Sequence, residues 1–317
     1  MSYSQGGLIA ATDYNGFVGT VTQSGTINYV WSTGNGQYGY GQGALSQSAS
    51  TASTVTAAQW ATAINTLNSI YTHQTGSGTG LTAPTSGTLI AYLSALSGDI
   101  STINSSHLSF HAQGSTTTGS VYSPTATAAS NATYGESTIL QRVVTFSSGD
   151  AARYFFNAGG QINFVITSVT NNDGTSRSGD AVTVIGTNFA GVSAIRATTN
   201  GGIQGSGGTN TVNNTGVGYY SLTTSPVVYQ QVTTTSGTYS GDYVKFYMSC
   251  NGTQGSNADN GSVINLYLNY YSAHTSASGS TTAVTNDTLN ITVNHRVDIV
   301  YPETTNLSSS WGTVTIT

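Results

Sequence analysis

The stretch "TLNITVNHRVDIVY" (Thr288 to Tyr301) alternates without a break, placing Leu289, Ile291, Val293, His295, Val297 and Ile299 on one side. Side chains of an extended chain point to opposite faces with period two, so this pattern demands a half-buried β-strand. The same period recurs in "GDYVKFYMSC", with Val244, Phe246 and Met248 on one face, and in "SVINLYLNYY", with Ile264, Leu266 and Leu268. Further strand candidates lie at 139–147, 161–170, 181–186, 217–224, 227–234 and 311–317. Roughly nine or ten strands, joined by Gly/Asn/Ser turns and without helical patterns between them, predict an antiparallel β-sandwich over 116–317. Inside it, "TNGGIQGSGGTNTVNNTGVG" (Thr199 to Gly218) reads as loop, and no fixed repeat suggests a propeller or β-helix.

The periodicity changes upstream. In "STVTAAQWATAINTLNSIY", Trp60, Ile64, Leu67 and Tyr71 share one helical face. Thr56 and Gln59 have capping-box spacing, Val55 is placed to staple onto Trp60, and Gly76 ends the run. A second helix carries Leu89, Leu93, Leu96, Ile100 and Ile103 at the same spacing. The two stripes fit either an antiparallel helical hairpin or a contact between subunits, so 54–115 is read as a helical attachment and oligomerisation segment. Residues 1–53 are glycine-rich, with Gly34, Gly36, Gly39, Gly41 and Gly43 opposing a long helix. They predict an extended arm with a short helix near Thr12 to Val18.

Composition narrows the partners. The 317 residues include 6 Lys+Arg and 11 Asp+Glu, a formal charge of -5 and 5% charged residues. Gly, Ser, Thr and Asn make up about half of the chain, yet 20 Tyr and 8 Phe supply the apolar surface that disordered chains lack. No basic footprint for nucleic acid is present. Cys250 has no second cysteine to pair with. The start "MSYSQGGLIAATDYNG" shows no secretion signal, and no apolar run spans a membrane, so synthesis in a cytoplasm is expected.

Residues that could carry chemistry are few. The carboxylates sit mostly in turn contexts such as "NNDG", "SGD" and "NADNG", which favour Asx turns over a paired acid and base. His107 and His111 in "HLSFH" have the spacing of a metal pair if the second helix continues that far, but no acidic residue follows closely. They are weak candidates, and no metal or cofactor is expected. His295 reads as a core histidine and Cys250 as a small core residue. "TNGGIQGSGG" lacks the Lys-Ser/Thr of a phosphate loop. Tyr219 and Tyr220 in "GYYSL" are candidate glycan contacts. In "GDAARYFFNAGGQINF", Asp150 and Arg153 suggest a local ion pair. Tyr154, Phe155 and Phe156 suggest a structural corner, with Gly159 and Gly160 making a tight turn or bulge into a strand from Gln161.

Three elements occur in order: Ile9/Asp13/Tyr14/Asn15, then Gly39/Tyr40/Gly41/Gln42, then Thr56/Gln59/Trp60. This pattern resembles virion structural proteins of tailed phages, especially marine and cyanobacterial myoviruses. "ARYFFNAGGQINF", "GYYSLTTS" and "DYVKFYMSCNGTQGSNADNGSVINLYLNYY" resemble their β-domain. The resemblance implies a non-enzymatic particle component, a neck, tail, fibre or collar subunit, forming a homotrimer or ring with other virion proteins. The alternatives are a capsid decoration or head fibre, and a tail-fibre tip that binds a host glycan. The resemblance supplies no catalytic residue.

Overall fold

The computed structural model describes residues 11–47, 54–87, 93–129, 134–189, 192–201, 205–234, 239–254, 261–272 and 288–317. In chain order its elements begin with helices α1 (Ala11–Val18), α2 (Ile27–Trp31), α3 (Ala57–Thr75) and α4 (Leu93–Ser105). Strands β1 (Gln113–Thr117), β2 (Thr125–Ala128) and β3 (Tyr134–Thr145) follow, then helix α5 (Gly149–Asn157), strand β4 (Gln161–Asn171) and helix α6 (Ser176–Thr183). The remainder is β5 (Val192–Ile195), β6 (Thr209–Asn213), β7 (Val227–Thr233), β8 (Tyr243–Cys250), β9 (Val263–Ser272), β10 (Leu289–Pro302) and β11 (Thr315–Ile316).

Two antiparallel sheets form. The first has the order β1-β10-β4-β5, with β2 also paired to β10, and the second has the order β11-β3-β9-β8-β7-β6. The long alternating stretch is thus a central strand, and all six residues of its apolar face are buried. Its pairing with β4 shifts between Asn294 and His295, leaving Thr167 as an extra residue on β4. The bulge falls on β4, so the alternation of β10 is not interrupted. Phe164 of β4 stacks on Phe246 of β8 with centroids 4.6 Å apart, so the sheets meet face to face as the alternation predicts.

Two strand expectations are corrected. Residues 181–186 belong to α6 and a wide helical turn at Val184–Asn188. The local sequence is β-rich, but Thr175 caps the helix by accepting Ser178 N, and Asn171 Oδ1 accepts from Asp173 N and Gly174 N. Capping outweighs the propensity of a few β-branched residues. Residues 217–224 hold a single turn of helix at Tyr219–Ser221, and the expected loop at 199–218 contains strand β6.

The N-terminal region departs from the extended arm. Among residues 11–47, α1 coincides with the expected short helix, α2 is a second, and the glycine-rich 33–47 packs through Tyr38, Tyr40 and Leu45 onto the hydrophobic core. α3 carries the full capping box, with Thr56 Oγ1 accepting Gln59 N and Gln59 Oε1 accepting Thr56 N at 2.8 Å. It ends at Gly76 in a left-handed conformation, φ 81°. Trp60, Ile64, Leu67, Leu96, Ile100 and Ile103 are buried inside this chain, and Tyr71 packs at the margin. Leu89 and the side chain of Leu93 lie outside the described residues. The stripes therefore close on each other as a hairpin, and in this fold their buried side chains do not face a second subunit. One hydrophobic cluster joins helices and sheets. No helix of the described residues is long and apolar enough to cross a membrane.

Candidate functional site

The "GDAARYFF" stretch is a helix, not a strand corner. Ser148 Oγ accepts Ala151 N at 3.0 Å, and α5 buries Ala152, Phe155 and Phe156 on one side. Arg153 is 1% exposed, with its guanidinium turned toward the glycine-rich segment. It donates to Asp150 Oδ1 at 3.0 and 3.1 Å, to Thr33 O and Tyr38 O at 2.7 Å, and to Gly36 O at 3.1 Å. Asn157 adds donations to Gly39 O at 3.1 Å and Gly36 O at 3.3 Å. Left-handed glycines make this approach feasible. At Gly41, φ is 71° and an added Cβ would lie 2.3 Å from the Tyr154 ring. The expected tight turn into the next strand is present: Gly159 has φ 90°, and a Cβ there would meet the Phe110 ring at 2.4 Å.

The same segment is fastened to the C-terminus. Gln42 Nε2 donates to Ser308 O at 2.8 Å, and Gln42 Oε1 accepts from Ser308 N at 2.9 Å and from Ser308 Oγ at 2.6 Å. Tyr40 is fully buried; its hydroxyl donates to His107 O at 2.8 Å and accepts from Gln74 Nε2 at 2.9 Å. Beside it, His73 Nδ1 lies 2.9 Å from Glu303 Oε1. Tyr14 meets Trp60 edge to face at 5.2 Å. Ile9 lies outside the described residues; at this joint Tyr14, Tyr40 and Trp60 belong to one hydrophobic cluster, and Gln42 links the glycine-rich segment to Ser308.

The joint and the sandwich core share a pH response. Burial lowers His295 to about 4, with the Arg142 guanidinium adding to the effect; Arg142 Nε donates to His295 Nε2 at 2.9 Å. Burial raises Glu303, but hydrogen bonds from His73, Asn306 and Thr305 outweigh it and hold the carboxyl at about 2. In the unfolded chain His295 takes up its proton near 6.5 and Glu303 near 4.5. Between about pH 6.5 and 4 the unfolded state therefore binds more protons at His295, and between about 4.5 and 2 more at Glu303. Both favour unfolding in acid. Thermal melts from pH 7 downward are expected to show Tm falling from about 6.5, and His295→Gln is expected to flatten the limb above pH 4.

Several sequence candidates change role. His107 follows the end of α4, stacks on Tyr38 at 3.8 Å, and has Nδ1 2.7 Å from Asn104 O. His111 lies against Gly76. The helix stops at Ser105, so the pair does not share a helical face, and no group of three or more His, Cys, Asp or Glu gathers among the described residues. Tyr219 is 1% exposed, stacks on Phe156 at 4.4 Å and donates to Gly261 O at 3.0 Å. Its faces are occupied by protein, which corrects its assignment as a sugar contact. Tyr220 is half-buried, with its hydroxyl 2.7 Å from Gly36 O and 2.8 Å from Asn157 Oδ1, and it belongs to the same joint. Cys250 is a buried free cysteine whose thiol burial pushes up.

A different set of tyrosines reaches the surface. On the outer face of the second sheet, Tyr243 pairs with Tyr271 and Tyr247 with Tyr267, directly opposite across β8 and β9. The rings stack at 4.7 and 4.9 Å. Lys245 and Asn269 sit between the pairs. Glu136 of β3 accepts from Tyr243 Oη at 2.6 Å, Lys245 Nζ at 2.8 and 2.9 Å, and Asn269 Nδ2 at 3.1 Å. Asn269 Oδ1 accepts from Tyr247 Oη at 3.0 Å. Burial raises Glu136, and the bonds from Lys245, Tyr243 and Asn269 more than reverse it. The period-two reading placed these residues on the outer face without marking them, although alternating Tyr at 243, 247, 267 and 271 was a visible signal. Compared with known proteins, the chain matches no family model, no curated protein and no solved structure.

Proposed function

We propose that this chain is a non-enzymatic structural subunit of a tailed-phage particle, a neck- or tail-associated fibre or collar component. The observation that carries the reading is the joint: the described residues of the three elements that resemble virion proteins are used for packing and hydrogen bonds. Tyr14 and Trp60 form its helical side, Tyr40 and Gln42 its link to Ser308, and Thr56 with Gln59 the cap of α3. Carboxylates serve the same end. Asp150 holds Arg153, Asp173 caps the turn before α6, Asp298 accepts from Arg296 and Gly119 N, and Glu303 holds His73. A chain with few charges also loses little to desolvation when its surface is covered by neighbours.

The buried helical stripes move the expected self-association away from α3 and α4 and onto other surfaces. Light-scattering mass measurement of the purified chain is expected to give a trimer or a closed ring. A monomer that persists at high concentration would contradict the assembly reading.

A further inference from the structure

We infer that the outer face of β3, β9 and β8 is a binding platform for a neutral oligosaccharide. The outward residues of β8 are Tyr243, Lys245, Tyr247 and Ser249, and those of β9 opposite them are Tyr271, Asn269, Tyr267 and Asn265. Each of these side chains carries a hydrogen-bonding group, with Ser249 and Asn269 buried beneath their neighbours, and β3 adds Thr138, Gln141 and the aliphatic Val143 to the face. Tyrosine is common in protein–protein contacts, but Lys and Glu are depleted from their cores, and here the Lys245–Glu136 pair lies between the tyrosine pairs, a poor fit to a second copy of the chain. Aromatic rings interleaved with amide and hydroxyl groups instead match a ligand that offers C–H faces and hydroxyls together, as a sugar ring does.

Charge selects the ligand further. Lys245 is the one cation of the face and is neutralised by Glu136 at 2.8 Å, so neither phosphate nor an acidic polymer finds an unpaired positive group in it. The surface is also pre-ordered. Glu136 fixes Tyr243, Lys245 and Asn269, and Asn269 fixes Tyr247, so little side-chain entropy remains to be lost on binding. The two tyrosine pairs are separated by four residues along each strand, about 14 Å at ~3.4 Å per residue, a length that a short oligosaccharide spans. This assignment does not rest on the particle reading, and a chain found outside particles would still bind.

The test is calorimetric titration of the full chain with neutral gluco-, galacto- and manno-oligosaccharides, beside sulfated and uronic-acid oligosaccharides. At least one neutral series is expected to bind. Tyr247→Ala with Tyr267→Ala is expected to weaken it about tenfold or more, while Tyr267→Phe, which keeps the ring, changes it little. Tyrosine nitration of the wild-type chain supplies a readout independent of variant folding: the bound sugar is expected to protect Tyr247 and Tyr267. The proposal is overturned if no neutral series binds, if acidic sugars bind in preference, or if binding survives the double variant without nitration protection. Protection that rises with protein concentration in the absence of sugar would assign the face to a second copy and equally overturn it.

Discussion

Arg153→Ala is expected to destabilise the chain by roughly 2–4 kcal/mol, the loss of several hydrogen bonds from a buried guanidinium. Four acceptors depend on this guanidinium: Asp150 and the carbonyls of Thr33, Gly36 and Tyr38. Gly36 O retains its bond from Asn157, but Thr33 O and Tyr38 O lose the donations from the arginine. Half-buried carbonyls that lose a charged donor cost about 1 kcal/mol each, which together account for an effect of this size. Arg153→Lys is expected to recover only part of it, because an ammonium cannot reproduce a planar fork that serves several oxygens. Denaturant unfolding measures the loss, and limited proteolysis is expected to locate new cleavage at 33–41. A change within about 1 kcal/mol, the worth of one ordinary hydrogen bond, would mean that the clamp does not hold the glycine-rich segment.

Phe156→Ala is expected to cost a further large amount, about 3–5 kcal/mol. Phe156 is 1% exposed, stacks face to face on Tyr219 at 4.4 Å, and lies 5.1 Å from Phe155 and 5.9 Å from Phe146. Removing the ring leaves a cavity among groups tied to three different elements, which cannot collapse together to fill it. Phe156→Leu keeps most of the volume and is expected to cost less, chiefly the aromatic pairing worth about 0.5–1.5 kcal/mol. Thermal and denaturant melts of the two variants separate cavity from stacking; equal losses would contradict this division.

The sandwich was legible because its strands obey one rule. β8, β9 and β10 each alternate, and their inward residues are buried between the sheets, where Phe246 of β8 stacks on Phe164 of β4. The α3 cap was legible for a similar reason, since Thr56, Gln59 and Gly76 act within a few residues of one another. α5 was less visible. Three adjacent aromatics suggested a strand corner, yet Ser148, Asp150 and the Ala151–Ala152 pair are a helix start, and a 3.6-residue period puts Ala152, Phe155 and Phe156 together. The fold of the glycine-rich segment was not legible. Besides bonds to the nearby α2, its shape comes from Arg153 and Ser308, which lie more than a hundred residues away, and local propensity carries no trace of such partners. For the same reason Tyr219 looked available in the sequence, although Phe156 covers it.

Electron microscopy of phage particles purified from a lysate in which this chain is produced, labelled with an antibody raised against it, tests the particle assignment most directly. The predicted result is label at the neck or tail, repeated at positions related by the particle's symmetry. Label confined to the head would contradict the neck or tail placement. Particles that lack the chain altogether, with the protein recovered only free in the lysate, would contradict the structural role itself.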